Sequence, residues 1–439
     1  MSWLAAIALL LGLLLGLMAI GLPVAFAFLG VNLVGSWVFL GGEPGLVQLA
    51  RSAMASLATF TLAPIPLFVA MGEVLFHTGV AQRAIVAVDR LVDRVPGRLS
   101  VVSILGGTVF SSLSGSTLAN TAVLGGLLLP DMLRRGYHPS IAMGPIMATG
   151  GIAMLIPPSA LAVLLGSLAG ISISKLLIAG ILPGLMMSLL FLAYVVGRCA
   201  LQPAIAPADD APRVARGWSR WRPFVVHVVP LLGLFALVVG SILAGWATPT
   251  ESAALGSLGA VVAAAAYRSL TLGALLTALR ETAKVSVMIL FIIVASVTFA
   301  QILAFSGATD GLLHALSAFG LGPFETVLLM LGVLLLLGAF MDQVSMVMVT
   351  LPFFLPLAAA AGVDLLWLGV LMLIAMEISF TTPPFGLLLY VMKAVAPPQI
   401  TMRQVWVAAL PFIGLELLVL VLLLQFPALA LWLPAQVVR

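Results

Sequence analysis

The alternation of apolar and polar segments divides the chain into membrane-length apolar stretches joined by short polar ones. An apolar stretch of about 20 residues is long enough to cross a bilayer as an α-helix. This pattern predicts spans at residues 3–20, 22–40 and 61–77, with a more polar interfacial segment at 41–58. Residues 81–96 place apolar side chains at helical spacing opposite charged ones, so they predict an amphipathic helix along the membrane surface.

The segment at residues 99–130 is about 32 residues long, which is too long for a single span. Arginines flank it on both sides, and positive residues at both ends favour the cytoplasmic side for both ends. We therefore predict a helical hairpin that enters from the cytoplasm and turns at residues 112–116. Such irregular backbone is tolerated at membrane depth only inside protein or beside a water-filled cavity.

After this hairpin, the sequence predicts a helix that is interrupted by two prolines. It begins near residue 138, breaks at Pro157-Pro158 and resumes at residues 161–168. An unbroken span is predicted at residues 175–196. The polar stretch 198–222 contains Asp209-Asp210 and five arginines, and we predict it to be a cytoplasmic loop that links two halves of the chain.

The second half repeats the order of the first. An offset of 226 places Leu129-Pro130 on Leu355-Pro356 and Pro157-Pro158 on Pro383-Pro384. Prolines and glycines determine where helices break, so coincidence at these residues indicates a structural repeat. The predicted elements are spans at 224–244, 252–267 and 285–303, surface segments at 272–281 and 309–319, a hairpin at 323–356, a broken helix at 365–394 and a last span at 405–433.

Charge predicts the orientation of these elements. Neither flank of the second hairpin carries Lys or Arg, so we expect this hairpin to enter from the periplasm, opposite to the first. The resulting topology places sixteen of the 19 Lys and Arg residues inside and leaves Arg51, Lys175 and Arg439 outside. The two halves then form an inverted repeat, the arrangement of many secondary transporters, with both termini periplasmic.

The composition supports a multi-pass membrane protein. Hydrophobic residues make up 63% of the chain and charged residues 8%, whereas soluble domains carry roughly 25% charge. We interpret the basic residues as topology anchors, and we predict no nucleic-acid partner. Cys199 is the single cysteine, which excludes an internal disulfide and a cysteine metal cluster. The apolar N-terminus lacks a basic leader region, so it predicts a first span and not a cleaved signal peptide.

The two hairpins carry the candidate chemistry. Residues 112–117 place hydroxyls and glycine in a turn where one helix exposes free carbonyls and the next exposes free N–H groups. Carbonyl and hydroxyl oxygens suit a small cation, and helix N-termini suit an anion. The alternative interpretation is that serine and glycine only allow helices to pack closely in lipid.

Asp342 lies at the tip of the second hairpin within an apolar run. A carboxylate at that depth is costly and indicates a functional site, with Thr381 and Thr382 as possible co-ligands. A helix cap near the periplasmic surface is the alternative role for Asp342. We predict substrate contacts at Ser116, Thr117, Ser159, Asp342 and Thr382.

Three glutamates lie inside predicted helices. Glu377 precedes Thr381 by four residues, and binding of a proton, binding of sodium and pairing with a neighbour all remain open for it. Glu73 and Glu416 are interpreted as hydrogen-bond partners that stabilise helix packing. The four histidines are scattered near span ends, which argues against a metal cluster.

The motifs SSLSGSTLAN, LPDMLRRGY and IPPSALAVLLG in the first half, with GAFMDQ and MEISFTTPPFGLLLYVMK in the second, resemble the large membrane subunit of the tripartite ATP-independent periplasmic (TRAP) transporters. The resemblance covers nearly the whole chain. It implies an all-α polytopic fold of the ion-transporter superfamily, with two re-entrant hairpins, two broken helices and an elevator mechanism. It also implies an inner-membrane location, a separate small four-helix membrane subunit and a soluble periplasmic substrate-binding protein.

The same resemblance implies a division of the chain into scaffold and transport regions. The transport domain would comprise residues 98–174 and 323–400. Residues 1–97 and 175–322 would supply scaffold spans, surface arm helices and the loop 198–222, and residues 401–439 the final span. Sodium sites near each hairpin tip are implied at Ser112, Ser114, Gly115, Gly151 and Pro157 in the first half, and at Asp342, Thr381, Thr382 and Pro383 in the second.

The function we predict is sodium-coupled import of small organic anions, such as carboxylates or sialic-acid-like acids. The alternative is a stand-alone proton- or sodium-coupled carrier of the same architecture that needs no binding protein. An intramembrane serine protease using Ser114 or Ser116 would need a general base at the same depth, and no His or Lys is predicted there. A channel would show charge rings or repeated filter loops, and the sequence shows neither.

Overall fold

In a computed structural model, the chain is described at residues 1–92, 95–207, 217–338, 340–384 and 386–437, without the side chains at 112–114, 317 and 437. Across these residues every regular element is helical. The predicted ligands Ser112 and Ser114 therefore have side chains outside the described part of the structure, and Asp209-Asp210 lie outside it entirely.

The chain forms helices throughout both halves, with two short 3₁₀ turns at Phe60–Leu62 and Pro203–Ile205. The first half contains α1 (Trp3–Ala19), α2 (Val24–Phe39), α3 (Glu43–Leu57), α4 (Pro64–His77), α5 (Val80–Leu91), α6 (Arg98–Ser114), α7 (Thr117–Arg134), α8 (Pro139–Leu155), α9 (Ala160–Leu168) and α10 (Ile173–Leu201). The second half contains α11 (Trp218–His227), α12 (Val229–Leu243), α13 (Pro249–Ala266), α14 (Leu272–Phe305), α15 (Ala308–Ser317), α16 (Pro323–Leu337), α17 (Gln343–Ala360), α18 (Leu365–Thr381), α19 (Leu387–Val395), α20 (Met402–Gln425) and α21 (Ala428–Val437).

Both predicted hairpins and both predicted broken helices are present. The hairpins are α6–α7 and α16–α17, and the broken helices are α8–α9 and α18–α19. Helices α8 and α9 meet at an angle of 42° across the break at residues 156–159. The prolines therefore end these helices where the sequence predicted, because a proline removes a backbone donor and clashes with the preceding turn.

Three predicted boundaries were wrong. The surface segment 272–281 and the span 285–303 form one 34-residue helix, α14, because residues 282–284 contain neither glycine nor proline to end it. The last span stops at Gln425, and α21 begins after Pro427. The polar loop predicted at 198–222 is shorter, since α10 continues to Leu201 and α11 begins at Trp218.

The helix bounds confirm the internal repeat. Adding 226 to the bounds of α7 gives those of α17, and adding it to the bounds of α8 gives those of α18. Gly151 and Glu377 are equivalent under this offset, and they touch: a Cβ at Gly151 would lie 2.0 Å from the carboxyl carbon of Glu377. Equivalent residues contact each other only near the axis that relates the halves. The pseudo-two-fold axis therefore passes between α8 and α18, in the protein core.

In the described chain, six helices are long and apolar enough to cross a membrane, or seven when the bent pair α8–α9 counts as one span. Large apolar side chains such as Leu189, Val287 and Leu336 are exposed on their outer faces. Outward apolar faces of this extent are expected for helices surrounded by lipid. The protein is a multi-pass membrane protein.

Candidate functional site

The first hairpin tip, residues 111–120, is ordered by helix capping and by a buried hydrogen-bond network. Gly115 ends α6 in the left-handed conformation at φ 59°, and the Ser116 hydroxyl caps α7 by accepting from the Ala119 N–H at 3.3 Å. Ser111 Oγ donates to the Thr149 carbonyl at 2.5 Å and accepts from Asn120 Nδ2 at 2.6 Å. The network connects both arms of the hairpin to α8.

This first tip lies against the first helix break. A Cβ at Gly115 would lie 3.1 Å from the Pro158 carbonyl oxygen, so the turn and the break are in direct contact. Ser159, only 1% exposed, caps α9 by accepting from the Ala162 N–H at 3.1 Å. The predicted residues Gly115, Pro157 and Ser159 therefore lie together, and they bring free carbonyl oxygens of a broken helix beside a glycine turn.

The second hairpin tip, residues 338–345, uses a carboxylate where the first uses a hydroxyl. Asp342 is equivalent to Ser116 under the 226-residue offset and caps α17 in the same way. Its carboxylate accepts from the backbone N–H groups of Val344 (3.1 Å) and Ser345 (3.3 Å), and also from the Ser345 hydroxyl. Asp342 is thus a helix cap, the alternative considered from the sequence, and it lines a cavity as well.

The second helix break lies beside this second tip. A Cβ at Gly338 would lie 1.9 Å from Ser379 Cβ, so the hairpin backbone packs directly on α18. The Thr381 and Thr382 hydroxyls both donate to the Ile378 carbonyl, at 3.0 and 2.5 Å. Each hydroxyl oxygen keeps lone pairs that could accept one further interaction.

A cavity of about 490 Å³ joins the two tips. Gly115, Ser116 and Thr117 line it from the first tip, and Asp342 lines it from the second. Residues of α2, α4 and α14 form the opposite wall. A volume of a few hundred cubic ångströms suits a small organic molecule.

Several predicted site residues lie outside the lining of this cavity, behind the tips. Ser159 and Thr382 were predicted as substrate contacts, but their neighbours Ala160, Phe380 and Leu387 form the cavity wall instead. The sodium ligands implied by resemblance that do not line the cavity are Gly151, Pro157, Thr381, Thr382 and Pro383. The structure therefore separates the predicted residues into a group that faces the cavity and a group in the adjoining breaks.

Sequence reasoning missed three polar residues in the cavity wall. Glu73 on α4 reaches the cavity and pairs with His77 at 3.2 Å. Its interpretation as a hydrogen-bond partner is confirmed, but its position in the cavity wall was not anticipated. Gln343 and Ser345 also line the cavity, and Gln343 Nε2 is buried without a hydrogen-bond partner among the described residues. Both residues lie within three positions of Asp342, and this closeness to the hairpin tip could have predicted their place in the cavity wall.

Glu377 and Glu416 form a separate acidic pair in the core. Both side chains are 0% exposed, and the two carboxyl groups are close enough to interact electrostatically. Within the described residues, neither carboxyl oxygen of Glu377 has a hydrogen-bond partner. The Thr381 hydroxyl lies close to the Glu416 carboxyl, and the role of Glu416 as a hydrogen-bond partner stays a prediction. Glu377 fills the space beside Gly151. The Glu377–Glu416 pair therefore lies near the pseudo-two-fold axis between α8 and α18.

Two broken helices meeting two hairpin tips around a small-molecule cavity define a secondary transporter of inverted-repeat architecture. The comparison with solved structures agrees. The Alcanivorax borkumensis YdaH transporter matches with a TM-score of 0.62 at 17% identity, covering 93% of this chain and 98% of that one. The Neisseria gonorrhoeae efflux pump MtrF matches with a TM-score of 0.60 at 16% identity, covering 92% and 95%. At these identities the match establishes the fold.

The family follows from sequence. Residues 11–429 match the model of the tripartite ATP-independent periplasmic transporter, DctM component. The chain therefore belongs to the large permease family of the TRAP transporters, whose members are transporter subunits and not enzymes.

Curated relatives share the family but differ in the substrates in their names. The C4-dicarboxylate TRAP transporter large permease protein DctM of Pseudomonas aeruginosa is 33% identical, over 92% of this chain and 93% of that protein. The sialic acid TRAP transporter large permease protein SiaM of Vibrio cholerae is 30% identical over 96% of both. The isethionate TRAP transporter permease protein DctMQ of Oleidesulfovibrio alaskensis is 29% identical, over 94% of this chain and 64% of that longer protein.

Proposed function

We propose that this protein is the permease subunit of a sodium-driven importer of small organic anions in the bacterial inner membrane. A periplasmic binding protein delivers the anion, and a separate small membrane subunit completes the complex. Both termini of the permease lie on the periplasmic side. The observation that carries the proposal is a cavity that is lined by both hairpin tips and by α2, α4 and α14.

The charges of the cavity wall support coupling to a cation. The charged side chains among its described lining residues are Glu73 and Asp342, and both are acidic. Without a bound cation, a negatively charged substrate in this cavity would be repelled by the two negatively charged carboxylates. This repulsion is strong in a medium of low dielectric constant. Bound sodium ions offset that repulsion, so the anion binds after sodium. Affinity for the anion then depends on the sodium concentration.

Hard oxygen ligands suitable for sodium lie beside the cavity in both halves. In the first half, the Pro158 carbonyl lies against Gly115. In the second half, Thr381 and Thr382 present hydroxyl oxygens near the tip that carries Asp342. The N-terminus of α7 also lies at this cavity, and its positive end favours the carboxylate of the substrate, whereas the N-terminus of α17 is already occupied by the Asp342 carboxylate.

The two walls of the cavity suit an elevator movement. The hairpins and broken helices form one wall, as a transport domain of residues 98–174 and 323–400. Helices α2, α4 and α14 form the other wall, as part of the scaffold. Movement of the first wall past the second would expose the cavity alternately to each side of the membrane.

The relatives indicate the substrate class. Their names specify a C4-dicarboxylate, sialic acid and isethionate, all small acids. We therefore propose a small carboxylate or sulfonate as substrate here. The longer relative named DctMQ shows that two permease components can occur in one protein. We propose that the small subunit of this protein is a separate chain.

Uptake into proteoliposomes tests the proposed function. The liposomes contain this protein with its small subunit, and the binding protein is added with candidate acids, with and without an inward sodium gradient. We expect uptake only when sodium and the binding protein are both present. Uptake that needs no binding protein would contradict the proposal and establish the stand-alone carrier instead.

A further inference from the structure

A second cavity, of about 540 Å³, lies between the amphipathic helix α5 and helix α11, and it shares no lining residue with the cavity at the hairpin tips. We call it the basic pocket, because its lining includes Arg83, Arg90, Arg222 and His227. Among its described lining residues none carries a carboxylate. The pocket therefore holds three permanent positive charges within one cavity.

The arginines of the basic pocket are arranged to receive an anion. Arg83 and Arg90 lie seven residues apart on α5, which places them on one face of the helix two turns apart. Arg222 faces them from α11. Arg83 donates to the Tyr267 carbonyl at 3.2 Å, whereas Arg90 and Arg222 have neither a hydrogen bond nor a salt bridge within the described structure. Their planar donor groups are available for bidentate binding of an oxyanion.

The surroundings of the pocket place it at the membrane surface. Helix α11 begins the apolar segment Trp218–Leu243, which is long enough to span the bilayer. Trp218 and Trp221 are 66% and 50% exposed at its start, and exposed tryptophans of this kind are typical of the headgroup region. Helix α5 is amphipathic, with Arg83 and Arg90 exposed and Ile85 buried. The pocket thus opens where lipid headgroups lie.

The pocket also has an apolar side. Val86, Ala87, Pro223 and Val226 line it beside the arginines, and Val86 and Val226 are 45% and 41% exposed. A phosphodiester attached to a glycerol and acyl chains matches both features, because the phosphate contacts arginine and the chains contact the valines. Basic pockets between membrane helices on the cytoplasmic side bind anionic lipid headgroups in this way.

We propose that the basic pocket binds the phosphate headgroup of an anionic phospholipid from the inner leaflet. The bound lipid links α5 to α11, two helices that otherwise meet at the membrane surface around a cluster of like charges. It stabilises the scaffold without touching the substrate cavity.

Native mass spectrometry of the detergent-purified protein tests the proposal, with phosphatidylglycerol, cardiolipin and phosphatidylcholine as probes. We expect one phosphatidylglycerol or cardiolipin molecule to be retained, and phosphatidylcholine to be retained much less. The double variant Arg90→Gln/Arg222→Gln should bind the anionic lipids about tenfold or more weakly. The matched variant Arg280→Gln/Arg403→Gln removes two exposed arginines elsewhere and should bind them as the unmodified protein does.

Three results would overturn the proposal. The first is equal lipid retention by the two double variants, with both shown to be folded by thermal unfolding. The second is displacement of the lipid by millimolar inorganic phosphate, which would identify the pocket as a site for free phosphate. The third is loss of the lipid when the small membrane subunit is co-purified, which would identify the pocket as a protein interface.

Discussion

The two hairpin tips occupy equivalent places in the repeat, yet they differ in charge. Ser116 and Asp342 are related by the 226-residue offset, and each caps the second helix of its hairpin. The capping requirement is the same at both tips, and a neutral hydroxyl satisfies it at Ser116. The two tips therefore meet the same capping requirement with different charges, and the extra negative charge at Asp342 is compatible with our proposal of a cation at the second tip.

The two breaks differ in exposure as well. Pro157, Pro158 and Ser159 are all buried, whereas Thr382 and Pro383 are partly exposed and Pro384 is exposed. The first break is covered by its hairpin tip, while the second is open. Equivalent backbone geometry thus gives one enclosed and one accessible set of oxygens, so the two predicted ion sites should differ in how readily they exchange ions.

Removal of the Asp342 carboxylate should give the largest effect. Asp342→Ala loses the cap and the charge, and a charge-assisted hydrogen bond contributes roughly 1.5–3 kcal/mol. We expect sodium-driven uptake to fall about tenfold to a hundredfold and the apparent affinity for sodium to weaken. Asp342→Asn keeps an acceptor for the cap but removes the charge. Equal uptake by Asp342→Asn and the unmodified protein would show that the charge has no role.

A methyl group at Gly151 should produce the next largest effect. Its Cβ would lie 2.0 Å from the Glu377 carboxyl carbon, and overpacking of a core typically costs about 1–3 kcal/mol. We expect Gly151→Ala to lower the midpoint of thermal unfolding, measured by scanning fluorimetry. Gly126→Ala is the matched control, because no atom of the described residues lies within 4 Å of its added Cβ. The double variant Gly151→Ala/Glu377→Ala should recover much of the loss, and independent additive losses would argue against the contact.

Substitution of Gly115 tests the backbone of the first tip. Its φ of 59° is left-handed, which costs an L-residue roughly 1–2 kcal/mol. We expect Gly115→Ala to reduce uptake about tenfold. Gly115→Asn adds the same Cβ but tolerates positive φ better, so it should retain more activity. Should the asparagine variant be the worse of the two, crowding against Pro158 and not backbone conformation would limit this position.

Removal of the Ser116 hydroxyl should have the smallest effect. Ser116→Ala loses an N-cap, which costs typically about 1 kcal/mol, and no charge is lost. We expect a small decrease in thermal stability and uptake reduced only a few-fold, with apparent sodium affinity nearly unchanged. An effect on uptake as large as that of Asp342→Ala would show that the two tips contribute equally, contrary to the comparison above.

The sequence by itself determined the local features of this protein. Proline pairs and glycines predicted both helix breaks and both hairpin turns, because these residues restrict backbone geometry whatever surrounds them. The same residues set the 226-residue register, and the apolar segments identified a membrane protein. The continuous helix α14 was missed because no proline or glycine stands at residues 282–284, and packing decides how far such a helix continues.

The tertiary structure decided which of the candidate residues meet. Ser116 and Asp342 are far apart in sequence but line one cavity, and Glu73, which the sequence analysis interpreted only as a partner in helix packing, lines it with them. Glu377 meets Gly151 because two halves of the chain pack about a common axis. Prolines and glycines near a helix end determine where the helix stops. Which residues pack against that helix end depends on contacts between segments more than 200 residues apart in the sequence.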